Sequence, residues 1–200
     1  MDLRTITKIF ILIAAGIVSL FPQTKTNLEV FKVLIDSSIS AIMVNTTDLH
    51  KDIFINLKLG TAYNIFEDQI YQSVQAQRKN IASVYNPLNN SELSYSIENT
   101  TINYGETFRN GFLGDHFVPR RISLSGSYRL RDQDIKIKSF YYENVDTVKY
   151  DDIQSLENSS YPFTKGEIPS EPFLSNLFEP LVVITTAAVV IALFFTVRSK

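Results

Sequence analysis

The chain has 200 residues, a net charge of −2 and no cysteine, so it carries neither a disulfide framework nor a thiolate metal site. Without the charges near its ends (Asp2, Arg4, Lys8, Arg198 and Lys200), 15 of the 19 basic and 20 of the 21 acidic residues remain. The body of the protein is therefore acidic, which gives it no electrostatic reason to bind nucleic acid.

Residues 1–23 predict a signal peptide. Arg4 and Lys8 precede an apolar run over residues 9–21, which is too short for a comfortable membrane span. The run ends in Ser-Leu-Phe-Pro-Gln23, which resembles the end of Bacteroidota export signals. An uncleaved N-terminal anchor is the alternative, and in both cases the positive charges lie on the cytoplasmic side.

The body begins with a predicted helix. Apolar residues recur at three- and four-residue steps from Thr26 to Met43, and Asn27 is the predicted N-cap. Residues 45–50 follow as a polar loop.

A βαβ unit is predicted next. Asp52 to Leu59 alternates as a strand with one apolar face, and Thr61 then caps a helix that extends to Gln77. Residues 80–85 form a short strand, and the crossover between the two strands is expected to be right-handed.

Antiparallel strands follow a turn over residues 86–90. The apolar positions are odd up to Ile97 and even from Ile102, so the phase changes and a bulge is expected near Asn99 to Thr101. The clearest hairpin turns over Arg131 to Asp134. Its predicted core face takes alternate residues of both strands: Ile122, Leu124, Tyr128, Leu130, Ile135, Ile137 and Tyr141.

The C-terminal part predicts a membrane anchor behind a tether. The exported domain is expected over residues 24–156 and a proline-rich juxtamembrane tether over residues 157–180. Residues 181–197 hold no charge and predict a transmembrane helix of about 25 Å. A buried core helix is the alternative. Arg198 and Lys200 lie in the tail of residues 198–200, which the positive-inside rule places in the cytoplasm.

Small residues within that helix define a candidate packing face. Thr185, Ala188 and Ala192 share one side, and small residues at such spacing allow two membrane helices to approach closely. The alternative is that small residues simply occur in membrane helices, and no Gly-xxx-Gly pattern is present.

One polar cluster is a candidate ligand site. Residues 109–121 join two predicted strands and carry Arg109, His116, Arg120 and Arg121, whose donors could bind an anion. The alternative is a long solvated connection whose aromatic residues pack on the sheet.

Enzymatic and metal chemistry have no signature in the sequence. Neither His50 nor His116 has ligand spacing around it, and Ser-Gly-Ser127 lies in a predicted strand without the turn that a hydrolase nucleophile needs. No phosphate-binding glycine loop is present. We therefore expect no catalytic residue, no metal and no cofactor.

The order of elements predicts an α+β fold, with two helices packed on a mixed, mainly antiparallel sheet of four to six strands and one C-terminal transmembrane helix. Over residues 28–150 this order resembles small envelope modules related to the amino-terminal domain of TolB and to the curli-secretion and flagellar outer-membrane lipoproteins. The resemblance implies a role in protein–protein interaction in the envelope.

The sequence thus favours a non-catalytic, single-pass protein of the bacterial inner membrane, with its domain in the periplasm and its C-terminus in the cytoplasm. The expected partners are the lipid bilayer and another envelope protein, and Phe140 to Tyr142 is the candidate contact unless it packs in the core. The alternative is an exported sensor domain that binds a small ligand or anion through the Arg109–Arg121 loop.

Overall fold

The computed structural model describes residues 24–44, 51–77, 80–111, 114–132, 134–170 and 175–198. The predicted signal peptide, the loop with His50 and the last two residues lie outside the described residues.

The described chain forms an α+β fold, as predicted, with five strands in one mixed sheet. The elements are α1 (Asn27–Val44), β1 (Asp52–Lys58), α2 (Glu67–Ala76), β2 (Asn90–Tyr104), β3 (Phe108–Arg109), β4 (His116–Arg131), β5 (Ile135–Lys149), α3 (Ile153–Leu156) and α4 (Ser175–Arg198). The sheet order is β1-β2-β4-β3, and β5 pairs with the other side of β4.

Helix α1 confirms its predicted extent, but its cap is one residue earlier than expected. The Thr26 backbone N–H donates to Glu29 Oε2 at 2.8 Å, and the Glu29 backbone N–H donates to Thr26 Oγ1 at 3.3 Å. These reciprocal bonds are a capping box. The prediction that Asn27 caps the helix is wrong, because Asn27 is fully buried and its side chain bonds elsewhere.

The βαβ unit is confirmed with different boundaries. Strands β1 and β2 pair in parallel, and the crossover begins as a 3-10 helix over Thr61–Phe66 before α2. Gly60 precedes it with a φ of 66°, and no side chain caps this helix, so the predicted Thr61 cap is wrong. The predicted strand over residues 80–85 contributes one isolated parallel bridge, between Ile53 and Ile81.

The predicted bulge and hairpin are confirmed. The register between β2 and β4 shifts between Ile97 and Asn99, and β4 pairs with β5 over their whole length. Opposite the bulge, a Cβ on Gly126 would lie 2.1 Å from the Ser96 carbonyl oxygen and 2.5 Å from the Phe140 ring. The glycine of the Ser-Gly-Ser127 sequence therefore serves packing, because a larger residue would collide with both.

The core lies on the sheet face that α1 and α2 cover. It combines the apolar stripe of α1 with inward residues of the four long strands, including Phe31, Ile35, Ile39, Phe66, Ile70, Leu93, Tyr95, Ile122 and Leu124. We call this the inner face of the sheet and the opposite side the outer face.

The predicted orientation of β5 is wrong. Ile135, Ile137 and Tyr141 are exposed on the outer face, whereas Phe140 and Tyr142 point inward and pack against the core. Both sets of alternate residues in β5 contain apolar side chains. The alternation in the sequence is therefore compatible with either face of the strand being buried. The stacking of Phe140 on Tyr95, with ring centroids 5.2 Å apart, holds β5 in its observed orientation.

The first part of the predicted tether belongs to the folded domain. The Phe163 ring contacts the rings of Phe31, Tyr63 and Phe66 at centroid distances of 5.3 to 5.7 Å, and Thr164 is fully buried. The tether prediction is therefore wrong for this part of residues 157–180, because Pro162 begins a short 3-10 helix that directs Phe163 inward.

Replacing Phe163 with alanine tests this packing. We expect Phe163→Ala to lower the free energy of unfolding by about 3 kcal/mol, because it leaves a cavity among three aromatic rings. Urea unfolding of the full chain in detergent, followed by circular dichroism, measures the change. Leu88→Ala is the control, since Leu88 is 83% exposed and its loss should change stability by less than about 0.5 kcal/mol. Equal effects of the two substitutions would contradict this account.

Candidate interaction surface

The predicted loop over residues 109–121 is largely strand, which separates its four candidate ligand residues. Arg109 lies on β3 directly opposite His116 on β4. Arg120 and Arg121 are consecutive in β4 and therefore point to opposite faces of the sheet. The structure thus brings Arg109 and His116 together and places the other two arginines elsewhere.

Arg120 is fully buried on the inner face and is already bonded. Its Nε donates to Asp146 Oδ1 at 2.9 Å, and its Nη1 donates to Asn27 Oδ1 at 2.7 Å and to the Lys25 carbonyl at 2.9 Å. Its Nη2 also pairs with the Asp146 carboxylate. Arg120 therefore stabilises the fold, and its guanidinium is not accessible to a ligand in solution.

Asn27 extends this bonded group to a second strand and to the C-terminal segment. Its Nδ2 donates to the Tyr104 hydroxyl at 2.9 Å and to the Thr164 carbonyl at 2.8 Å. Tyr104, Arg120 and Asp146 are directly opposite one another on β2, β4 and β5. Burial raises the pKa of Tyr104, so its hydroxyl stays protonated at neutral pH. We call Asn27, Tyr104, Arg120 and Asp146 the polar hub.

The other predicted ligand residues lie at the surface. Arg109 Nε donates to the Gly114 carbonyl at 2.9 Å, which shapes the turn between β3 and β4. Arg121 lies 3.7 Å from Glu143 Oε2 on the outer face. In the described part of the chain, no three metal-ligating side chains form a group that could hold an ion. An anion site at Arg109 and His116 stays a prediction.

The outer face of β5 carries a row of exposed apolar side chains. The exposed fractions are 58% for Ile135, 71% for Ile137, 63% for Tyr141 and 57% for Val145. Because these residues are two or four positions apart in the strand, they all point to the outer face along one edge of the sheet. We call these four residues the β5 row. Ser139 and Glu143 lie between them on the same face, so the row is an apolar strip with two polar interruptions. Exposed apolar residues grouped in this way are typical of a surface that contacts another molecule.

Polar groups border the β5 row on β4. Ser123, Ser125 and Ser127 occupy the same face of the neighbouring strand. The Tyr141 hydroxyl donates to Glu143 Oε2 at 2.7 Å, and this bond raises the pKa of Tyr141. An apolar centre with a polar border is the usual composition of a protein–protein interface.

Helix α4 is apolar and exposed. All described side chains from Val182 to Thr196, including the proposed packing residues Thr185, Ala188 and Ala192, are exposed. The hydroxyls of Thr185, Thr186 and Thr196 donate to carbonyls three or four residues earlier in the helix. Within the described ranges, no helix is both long and apolar enough to cross a membrane.

Comparison with known proteins finds only weak matches among solved structures. No family model matches the sequence, and no curated protein matches it. Among solved structures, the rare lipoprotein B from Shewanella oneidensis is 10% identical, with 72% of this chain and 96% of that chain covered and a TM-score of 0.33. A minor lipoprotein from Acinetobacter baumannii is 13% identical, with coverages of 52% and 69% and a TM-score of 0.32.

Both structures are named as lipoproteins. Likeness at these TM-scores decides neither the family nor the function.

Sequence reasoning missed both the polar hub and the β5 row. Arg120 and Asp146 are 26 residues apart, and only the register between β4 and β5 places them opposite one another. The sequence did contain one indication of which face of β5 is buried. Lys136 and Lys138 alternate with Ile135 and Ile137, and Phe140 and Tyr142 lie on the same face as the two lysines. The larger aromatic residues decide which phase faces the core.

Substitution of the two adjacent arginines tests the hub. We expect Arg120→Met to lower the free energy of unfolding by about 3 kcal/mol, because Asp146 and Asn27 lose their partner. Arg121→Met is the matched control and should cost less than about 1 kcal/mol, since its ion pair is exposed. Urea unfolding of the full chain measures both. A tolerated Arg120→Met would show that the hub is not needed for stability.

Proposed function

We propose that this chain is a non-catalytic protein of the bacterial envelope, anchored in the inner membrane, whose α+β domain binds another protein through the β5 row. The observation that carries the proposal is the exposure of four large apolar side chains along one strand. An ordinary soluble surface spreads such residues singly, whereas four of them along one strand favour association.

The form of the strip supports a protein as the partner. The β5 row lies on the last strand of the sheet, and Tyr141 at its centre offers a large apolar ring with a polar end. Tyrosine is enriched in the buried centre of interfaces for this reason. Burial of this row would contribute about 25 cal/mol for each Å² of apolar surface removed from water.

The positions of the perturbed groups support a non-catalytic role. Tyr95 has a strongly raised pKa because it is buried, but its hydroxyl bonds Ser38 inside the core. Glu92 has a lowered pKa because Asn56 donates a hydrogen bond to it, and Arg129 and Arg131 lie near the carboxylate on the same sheet face. Both groups have their partners within the fold and serve its stability.

The C-terminal helix supports the anchor. Its described side chains cover residues 182–196, which are fewer than the roughly 20 residues that a membrane span needs. The anchor is thus proposed from the sequence, in which the uncharged run extends over residues 181–197 and α4 continues on both sides of it. A helix of this composition is stable in lipid, where its threonines bond their own backbone. By the positive-inside rule, Arg198 and Lys200 support a cytoplasmic C-terminus.

The proposed interface is tested by photo-crosslinking in cells. A photoreactive residue at Ile137 should form a defined product with another chain, whereas one at Leu88 should form none. Leu88 is the matched control because it is apolar and more exposed than Ile137 but lies in a loop. A lack of product at Ile137 above the Leu88 level would contradict the proposed interface.

The anchor is tested by charge insertion. The double substitution Val189→Arg and Val190→Arg should move the protein from the membrane to the soluble fraction, because each arginine costs about 3 kcal/mol at the centre of a membrane helix. Alkaline extraction of isolated membranes measures the distribution. The control, Val189→Leu with Val190→Leu, should remain in the membrane. Retention of the arginine variant would count against a spanning helix.

A further inference from the structure

The open edge of β5 has a pattern that identifies its partner. Among the strands of the described ranges, β5 pairs with β4 alone, so the backbone groups on its other side face away from the sheet. This edge is 15 residues long. A long, regular edge of this kind is a template for a further strand.

We propose that the β5 edge pairs in antiparallel fashion with the β5 edge of a second copy of this chain, about a two-fold axis at Tyr141. The inference rests on the proposed function, and it names the partner of the β5 row. The resulting dimer has one continuous sheet through both copies, and the two β5 rows form one apolar strip on its outer face.

Charge complementarity favours a second copy as the occupant. Strand β5 carries Lys136 and Lys138 in its first half and Asp146 in its second half, all on the inner face, while Glu143 and Lys149 lie on the outer face. An antiparallel copy places the first half of one strand beside the second half of the other. Lys136 of each copy can then meet Asp146 of the other, so the two-fold axis forms this ion pair twice.

The side chains select the register. With Tyr141 opposite its own copy, Ile137 is opposite Val145 and Lys136 is opposite Asp146, so apolar and charged pairs match together. A shift of the axis to Phe140 would place Ile137 against Glu143. A shift to Tyr142 would pair Lys138 with Asp146 but place Ile135 against Lys149 and Tyr141 against Glu143. Apolar and oppositely charged pairs stabilise a sheet, whereas an apolar side chain directly opposite a charged one gains neither interaction.

The inner side of this edge has room for Lys136 of the second strand. A groove of about 380 Å³ lies between α1 and β5 and is lined by Lys25, Val30, Val33, Asn144, Asp146 and Thr147, among others. The Asp146 side chain is 36% exposed despite its bonds to Arg120. In the proposed register, Lys136 of the second copy reaches the mouth of this groove and the Asp146 carboxylate.

Single cysteines test the dimer directly, because the chain has none of its own. In the full chain purified in detergent, Tyr141→Cys should form a disulfide-linked dimer under mild oxidation, since the two copies of residue 141 are adjacent at the axis. Thr147→Cys is the control on the same exposed strand. Its two copies would be about 40 Å apart, at ~3.3 Å per residue, and should not crosslink.

A charge reversal gives a second measurement that does not depend on cysteine. Lys136→Glu should weaken the dimer about tenfold in dissociation constant, because it places a glutamate against Asp146. Lys58→Glu, which makes the same change of charge on β1, should leave the constant unchanged. Analytical ultracentrifugation in detergent measures both, and circular dichroism on heating verifies that each variant is folded.

The outcomes separate this inference from the proposed function. Crosslinking of Tyr141→Cys at least tenfold above Thr147→Cys, with a weaker dimer for Lys136→Glu, supports it. Equal crosslinking of the two cysteine variants overturns it, because contact would then be random or made by α4. If Ile137 captures a different protein in cells while Tyr141→Cys stays monomeric, the interaction function stands and the self-pairing falls. If neither forms a product, both fall.

Discussion

The ion pair between Arg120 and Asp146 is the contact on which the domain depends. A guanidinium without access to water is tolerated only when its donors are satisfied and an opposite charge is adjacent. Here Asp146, Asn27 and the Lys25 carbonyl meet that requirement, and Asn27 in turn bonds Tyr104 and the Thr164 carbonyl. The start of α1, three strands and the segment after α3 are therefore held together at one place. Displacement of any of them leaves a buried polar group without its partner.

The two faces of the sheet follow from this arrangement. Because the polar hub and the aromatic residues of β5 fill the inner face beneath α1, the alternate residues of β5 must point outward. These residues include Ile135, Ile137 and Tyr141, which are as apolar as many core residues. The domain thus keeps a well-packed interior and an apolar outer strip at once. The strip lies on an edge strand, where backbone and side-chain recognition can act together.

The proposed membrane anchor and the proposed dimer reinforce one another physically. Two chains held in one membrane meet at a much higher effective concentration than two chains free in solution, so a modest interface is sufficient for pairing. The folded segment around Phe163 shortens the connection between the domain and α4. With α4 as the proposed anchor, the sheet would lie closer to the bilayer than it would on a tether from residue 157.

The sequence by itself determined the α+β class, the order of the elements, the bulge near Asn99 and the hairpin between β4 and β5. These depend on local periodicity and turn residues, which act over a few neighbouring positions. Only the tertiary structure decided which face of β5 is buried, that Arg120 is an interior residue, and that Phe163 packs against the core. Each of these depends on contacts between distant residues: Phe140 stacks on Tyr95, Arg120 pairs with Asp146, and Phe163 enters a ring cluster with Phe31. Alternation in the sequence is compatible with either face of a strand being buried, and packing between distant residues determines which face it is.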